Sequence, residues 1–336
     1  MNNDELTNTM MTNVREESTL AESENPIRFL YDKVMETFEL SNSAANQTLS
    51  DAIRRGLISP RVFIDPAFEP IKTPRADFNR KEIQLQATHL SYLWAVCYTM
   101  IGLYEITRKT AELEIQALKV NDFPEIDQVS FVINWGIRQN TMRTIWPDGV
   151  PYPSLEDEHV KATNELFLFV IRYLMYHEAA HLIYHYSSFQ LVAKQSRREV
   201  LSDDEKRRMR NMEVQADEFA FDSVVLFPSE GPMQYMRALG AIIAQLSSLY
   251  LLSSANTKGG SHPDYDDRIK RALKKGTVDE EPYNTYIHLT LVIGIQVFLH
   301  LHDDKYLDEI RANGPYETFE QLEAELFNLL ERVKNQ

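Results

Sequence analysis

One cysteine in 336 residues, Cys97, leaves no possibility of an intramolecular disulfide and fits a reducing compartment. It also excludes thiolate clusters, so any zinc would have to be held by imidazole nitrogen and carboxylate oxygen. Positive charge is scarce: 35 Lys and Arg face 50 Asp and Glu, a formal net charge of -15. Phosphate recognition needs clustered cations, so nucleic acid is not the expected partner. The basic run Lys206-Arg207-Arg208-Met209-Arg210 follows Asp203, Asp204 and Glu205, and reads as a solvated, ion-paired helix face. Met1 to Asn25 lacks an apolar h-region, which makes it a disordered acidic arm rather than a signal peptide. Runs long enough to span a bilayer are also missing. Leu289 to Leu301 has about 13 residues where roughly 20 are needed, and Ala238 to Ala255 carries Gln245 and four serines. Both read as buried helices, so a cytoplasmic protein with no membrane partner is expected.

What is present is enough to build a core: 43% hydrophobic and 10% aromatic residues are ordinary globular values. After the arm (1–25), residues 26–150 mix helical periodicity with two strand patterns, Arg61 to Ile64 and Glu82 to Thr88. The second pattern alternates polar and apolar, and is a candidate edge for pairing with an extended substrate as well as a candidate core strand. Pro66, Pro70 and Pro74 mark a loop between the two. A long helix is expected over Leu90 to Leu118, while Asp127 to Ile137 does not decide between helix and strand. Residues 151–336 read almost wholly as helix. Ser154 is the expected N-cap of a helix reaching about Tyr186, and Ser202 with Glu205 forms a capping-box pattern for the next, ending near Pro228. A third helix is expected over Met233 to Ser254. The fold class is mainly α (α+β), a zincin-like helical core with a small N-terminal sheet.

The chemistry concentrates at His177-Glu178-Ala179-Ala180-His181. Two histidines four apart on a helix project from one face and can share one ion. Glu178 is offset from that face, so it can reach an attacking water without ligating the metal. The plain alternative is a pair of packing histidines, one buried and one exposed. Geometry then tests the third ligand. His185 lies about 12 Å further along the helix axis at 1.5 Å per residue, too far to close a tetrahedral site, and reads as a surface or packing residue. Ten residues after His177 stands Ser187, and no glycine breaks the helix, so the metzincin pattern fails. Glu213, 32 residues after His181 on the next helix, remains.

Glu213-Val214-Gln215-Ala216-Asp217 places two carboxylates one turn apart on one face. Glu213 supplies the metal-ligating oxygen; Asp217 accepts the outward N–H of a ligand histidine and fixes its ring. Small Ala216 lets the helices approach closely. The competing reading is a solvated acidic face, countered by Phe219, Ala220 and Phe221 turning inward. Further on, His262 or Tyr265 can hydrogen-bond a developing oxyanion, His262 swinging in on the Gly259-Gly260 link. Arg268 can pair with Asp217, Glu213 or a substrate carboxylate. A Pro-capped helix start with incidental charges is the alternative for this last segment.

With these residues in view the chain resembles the Lit-type phage-exclusion zinc metallopeptidases. The resemblance is carried by Tyr92-Leu93-Trp94-Ala95, Trp135, Trp146-Pro147, the helix leading into His177 to His181, the Glu213 to Asp217 run, and His262-Pro263 with Arg268. These occur in family order over roughly residues 80 to 270, a gluzincin-like pattern of HExxH plus ExxxD. The resemblance implies a cytoplasmic bacterial zinc peptidase in antiviral defence, whose type member cleaves elongation factor Tu when a phage capsid peptide triggers it. It implies His177 and His181 as ligands of Zn2+ and Glu178 as catalytic base; Glu213 rests on the spacing argument. A similar pattern occurs in regulators that cleave repressors, so another protein substrate stays open. So does a non-catalytic binding protein in which the metal only braces the helices.

Overall fold

The structure, a computed structural model, describes residues 25–39, 43–67, 69–110, 125–142, 145–187, 202–225, 232–259, 262–276 and 282–335. The N-terminal arm and the ends of the long helix beyond 110 lie outside the described residues. A 3-10 turn, Pro26–Leu30, leads into α1 (Tyr31–Glu39) and α2 (Ser43–Arg54). Three strands follow, β1 (Val62–Asp65), β2 (Arg75–Asp77) and β3 (Glu82–Gln86). The rest is helical: α3 (Ala87–Thr110), α4 (Glu125–Arg138), α5 (Glu158–Tyr184), α6 (Asp203–Val224), α7 (Pro232–Leu249), α8 (Tyr265–Gly276), α9 (Tyr283–His302), α10 (Lys305–Asn313) and α11 (Phe319–Lys334). The fold is mainly α with one small sheet, as the hydrophobic periodicity indicates.

The sheet order is β1-β3-β2, with β1 parallel and β2 antiparallel to β3. The Glu82 strand is therefore central, and its edge is not available for an added peptide; from residue 87 the chain is already α3. The edges are β1 and β2, and β2 lies in the segment expected to be loop. Asp77 creates the turn that pairs it: its carboxylate accepts the N–H groups of Asn79 and Arg80 at 2.9 and 3.0 Å. Lys81 completes the turn at φ 55°. The polar residues of the alternating strand do not face water. Gln84 is buried and bonds Arg75 and Asp77. Gln86, also buried, takes the Lys72 N–H at 2.7 Å and gives its amide to the Pro70 carbonyl. The alternation thus anchors the loop that borders the functional cleft.

Helix α5 is the centre, packed by α3, α6 and α7. The segment from Asp127 resolves as helix α4. The aromatic residues that mark the family pattern are core contacts. Trp94 donates to Asn164 Oδ1 at 2.8 Å and stacks on Tyr98, while Trp135 and Trp146 meet edge to face at 4.7 Å. The cap of α5 is Asp157, not Ser154: Asp157 Oδ1 takes the Val160 N–H at 3.2 Å, and Ser154 lies in the turn after Pro153. An aspartate both caps and favours the positive helix end, which a serine three residues earlier does not displace. The capping box of Ser202 and Glu205 forms as expected. The third helix of this region ends at Leu249, five residues short of Ser254. Helices α5 and α9 are each long and apolar enough to cross a membrane, but 67% and 72% of their most apolar windows are buried inside this fold. Their apolar character is that of core helices.

Candidate metal centre

His177, Glu178 and His181 stand on one flank of α5, where the next helix, α6, lies against it. Ala216 is fully buried between them, as close packing requires. The Nε2 atoms of His177 and His181 are 3.1 Å apart. Glu213 Oε2 lies 3.3 Å from His177 Nε2, and its Oε1 lies 3.5 Å from His181 Nε2. All three residues are buried, and among the described residues they form the group that could hold a metal ion, with one donor atom from each within 4.8 Å of the others.

Two observations test zinc against this set. The separations of 3.1, 3.3 and 3.5 Å, the last two to different oxygens of Glu213, are short enough for one ion to be shared. The donor types also suit a cation: two imidazoles and a carboxylate converge. Among the described residues the ion-pair partners of Glu213 are histidines, His177, His181 and His262. Burial works against its charge, yet the His177 and His262 contacts hold its carboxyl well below the usual range. The residues fit an ion that takes imidazole nitrogen and carboxylate oxygen, as zinc does.

The outer contacts are as specific. His177 Nδ1 lies 2.9 Å from Asp217 Oδ1; the contact is an ion pair by distance, with the ring not aligned for a hydrogen bond. Arg268 grips Asp217 with two bonds, Nε to Oδ2 at 2.8 Å and Nη2 to Oδ1 at 2.7 Å. Of the three partners open to Arg268, the structure selects Asp217. Burial disfavours the Asp217 charge, but Arg268 outweighs it and keeps the carboxyl well below its ordinary range. Tyr173 and Gln245 complete this shell, donating to Asp217 Oδ1 at 3.3 and 3.2 Å. Burial disfavours a charged His177 ring, yet Asp217 and Glu213 raise it to about 10.

His185 takes a role its distance from His177 concealed. It is no part of the three-residue cluster, but it is buried, and its Nδ1 lies 3.0 Å from His181 Nδ1. Its Nε2 lies 3.0 Å from Gln215 Oε1. With a carbonyl oxygen facing it, Nε2 carries the proton, so Nδ1 accepts from His181 Nδ1–H. That leaves a bare lone pair on His181 Nε2, directed at the cluster. Burial, and then the charge of His177, lowers His181 to about 3.

Glu178 and Ala76 form the opposite wall. The Ala76 N–H on edge strand β2 donates to the Glu178 carboxylate. Burial raises Glu178, His177 opposes, and Glu213 adds to the rise, leaving it at about 7. A cavity of about 490 Å³ opens here, lined by His177, Glu178, His181, Glu213, His262, Tyr265 and Arg268 among others. Gly260 of the expected Gly-Gly link lies outside the described residues, while His262 already stands at the cleft. Its N–H bonds Gly259 O at 2.9 Å, Asp264 Oδ1 takes the Gly259 N–H, and Nδ1 stands 3.4 Å from Glu213 Oε2. A Cβ at Gly259 would collide with the His262 and Pro263 carbonyls, so glycine permits this turn. Tyr265 opens α8 and lines the same cavity. The basic run is the ion-paired face expected, with Arg207 on Asp204 at 2.6 Å and Lys206 on Asp203 at 3.7 Å.

Sequence reasoning missed Tyr173, Gln245, Gln215, Ala76 and His89. Tyr173 alone had a local signal, four residues before His177 on the same helix face.

Fold and site together define a helical protein with a histidine-histidine-glutamate cluster facing a cleft. Its family is that of Peptidase U49, whose model matches residues 83–288, more than half of the chain and every member of the cluster; the chain belongs to this family. Comparison with curated proteins and with solved structures gave no match.

Proposed function

We propose that the chain is a zinc-dependent endopeptidase that cleaves a cytoplasmic protein as part of phage defence. The observation that carries the metal chemistry is the convergence of His177, His181 and Glu213 beside Glu178 at the wall of an open cavity. His177, His181 and Glu213 would hold the ion. When bound, zinc supplies Lewis acidity to the scissile carbonyl and eases deprotonation of water. Glu178 takes a proton from the attacking water and passes it to the leaving amine; a carboxylate near pH 7 suits both directions of transfer. The Ala76 N–H holds that carboxylate toward the cleft. Asp217, anchored by Arg268, sets the His177 ring, and His185 with Gln215 sets His181. His262 and Tyr265 line the same cavity and would donate to a developing oxyanion. A metal that only braced helices would need no cavity onto Glu178, which favours the catalytic reading.

The resemblance to the Lit-type proteases supports elongation factor Tu as the target and a phage peptide as the trigger. The test is proteomic. Wild type and Glu178→Gln are expressed in bacterial cells with and without phage infection, and new protein termini are sought. A cleaved elongation factor in infected wild-type cells only is the expected result. Undiminished cleavage by Glu178→Gln sinks the mechanism, and a fragment of a repressor instead redirects the target. Glu213→Ala should lose stoichiometric zinc; retention removes it from the ligand set.

A further inference from the structure

His89 is the buried polar group at this cleft that the chemistry above leaves unused. It sits in the first turn of α3, directly after central strand β3, and is 2% exposed. Its Nδ1 is buried without a hydrogen-bond partner, and among the described residues no protein group bonds its Nε2 either. Yet the residue lines the cavity. Nδ1 is sealed inside the protein, so Nε2 is the ring nitrogen open to a ligand in the cavity.

The surroundings narrow that ligand. Two of the elements that share the cavity with His89 are α5 and the end of α7. Leu174 stands on α5 one turn before Glu178, and Ser248, Leu251 and Leu252 come from the end of α7. The Tyr92 hydroxyl, three residues past His89, donates to the Ser247 carbonyl and fixes the end of α7 against α3. Leu174, Leu251 and Leu252 give the cavity apolar lining, and Ser248 adds a hydroxyl. Burial lowers His89 to about 3, so near neutral pH the ring is uncharged. An orphaned buried N–H is rarer than a bare acceptor, which places the proton on Nε2, facing the cavity. A substrate group here must therefore accept a hydrogen bond. An uncharged acceptor is favoured, since an ammonium offers no acceptor and a carboxylate is costly to bury against a neutral ring and leucine side chains.

We propose that His89 is a specificity-determining residue, donating from its ring to an uncharged hydroxyl or carboxamide side chain of the substrate residue next to the scissile bond. The proposal rests on the peptidase reading, so its test separates binding from cleavage. Peptide arrays in which one position is walked through the isosteric pairs Gln and Met, and Thr and Val, are probed with zinc-loaded Glu178→Gln protein. The same peptides are offered to wild type for cleavage. Binding should favour Gln over Met and Thr over Val by roughly 10- to 100-fold at one register. His89→Leu on that background should abolish the preference, and His89→Gln should retain part of it. If His89→Leu fails to fold, the preference within each isosteric pair decides alone. No preference, a preference unchanged in His89→Leu, or no binding to any peptide overturns the proposal. A preference that His89→Leu removes, with no cleavage by wild type, supports this subsite and counts against the peptidase reading.

Discussion

Replacing Arg268 with methionine is the sharpest perturbation of the metal centre's support. Methionine keeps much of the aliphatic bulk of the arginine stem and removes the guanidinium. Arg268 and Asp217 are nearly buried, with side chains 12% and 14% exposed. Asp217 Oδ1 retains Tyr173, Gln245 and the nearby His177, but Oδ2 has Arg268 as its hydrogen-bond donor and is left bare. Two charge-assisted bonds at roughly 1.5–3 kcal/mol each are lost, and the figure agrees with the roughly 3–5 kcal/mol seen when one partner of a buried pair is removed. For a chain of this length the unfolding entropy converts that to a fall in the melting midpoint of roughly 4–7 °C.

The double-mutant cycle makes the argument refutable. Asp217→Asn removes the charge that Arg268 balances, so each single change should destabilise while the pair costs well under their sum. Urea unfolding of the four proteins, monitored by circular dichroism, supplies the numbers. A loss under about 1 kcal/mol for Arg268→Met, or strict additivity, would show that the Asp217 network does not bear on stability and would refute the reasoning from burial and bond count.

Three further outcomes follow from named contacts. In protein stripped of metal by chelator, Asp217 and Glu213 overcome burial to hold His177 protonated up to about pH 10, while burial keeps His181 neutral down to about 3. Zinc binding must displace the His177 proton, so log affinity should rise with pH at a slope near one between pH 7 and 9 in chelator competition; a flat profile refutes the ligand role of His177. The sign agrees for stability: the raised His177 stabilises metal-stripped protein fully below its unfolded value and loses that contribution as pH rises through about 10. His185→Phe keeps a ring but gives His181 Nδ1–H no acceptor, so zinc affinity should fall roughly 10- to 100-fold in the same competition assay; unchanged affinity leaves His185 a packing residue. Lys334→Met strips fully buried Asp266 of its two closest lysine contacts, 3.2 and 3.0 Å, leaving half-exposed Lys270 at 3.3 Å. It should cost roughly 2–3 kcal/mol, read as a lower unfolding midpoint; no change in the midpoint refutes the buried-pair argument.

The sequence and the structure agree on several local features, though not on the cap of α5, where Asp157 stands in place of Ser154. Histidines four apart, a carboxylate pair one turn apart and a serine-glutamate capping box are each written in neighbouring residues, and each forms. Glu213 also emerges from spacing, because few acidic groups on the next helix face inward. What spacing cannot carry is the partner supplied by a distant segment. Gln245 reaches Tyr173 across 72 positions and Gln215 reaches His185 across 30. The alternation of β3 identifies a strand but not its place in the sheet, since only Asp77's turn makes a three-residue neighbour its edge. The same limit accounts for His185. Twelve ångströms along a helix rightly excludes it as a ligand, yet a residue at i+4 from His181 can still bond that ligand's far nitrogen. Ligand elimination by distance therefore answers one question and leaves a second, because a metal site is built from the atoms that touch the ion and from those that decide which lone pair is offered to it.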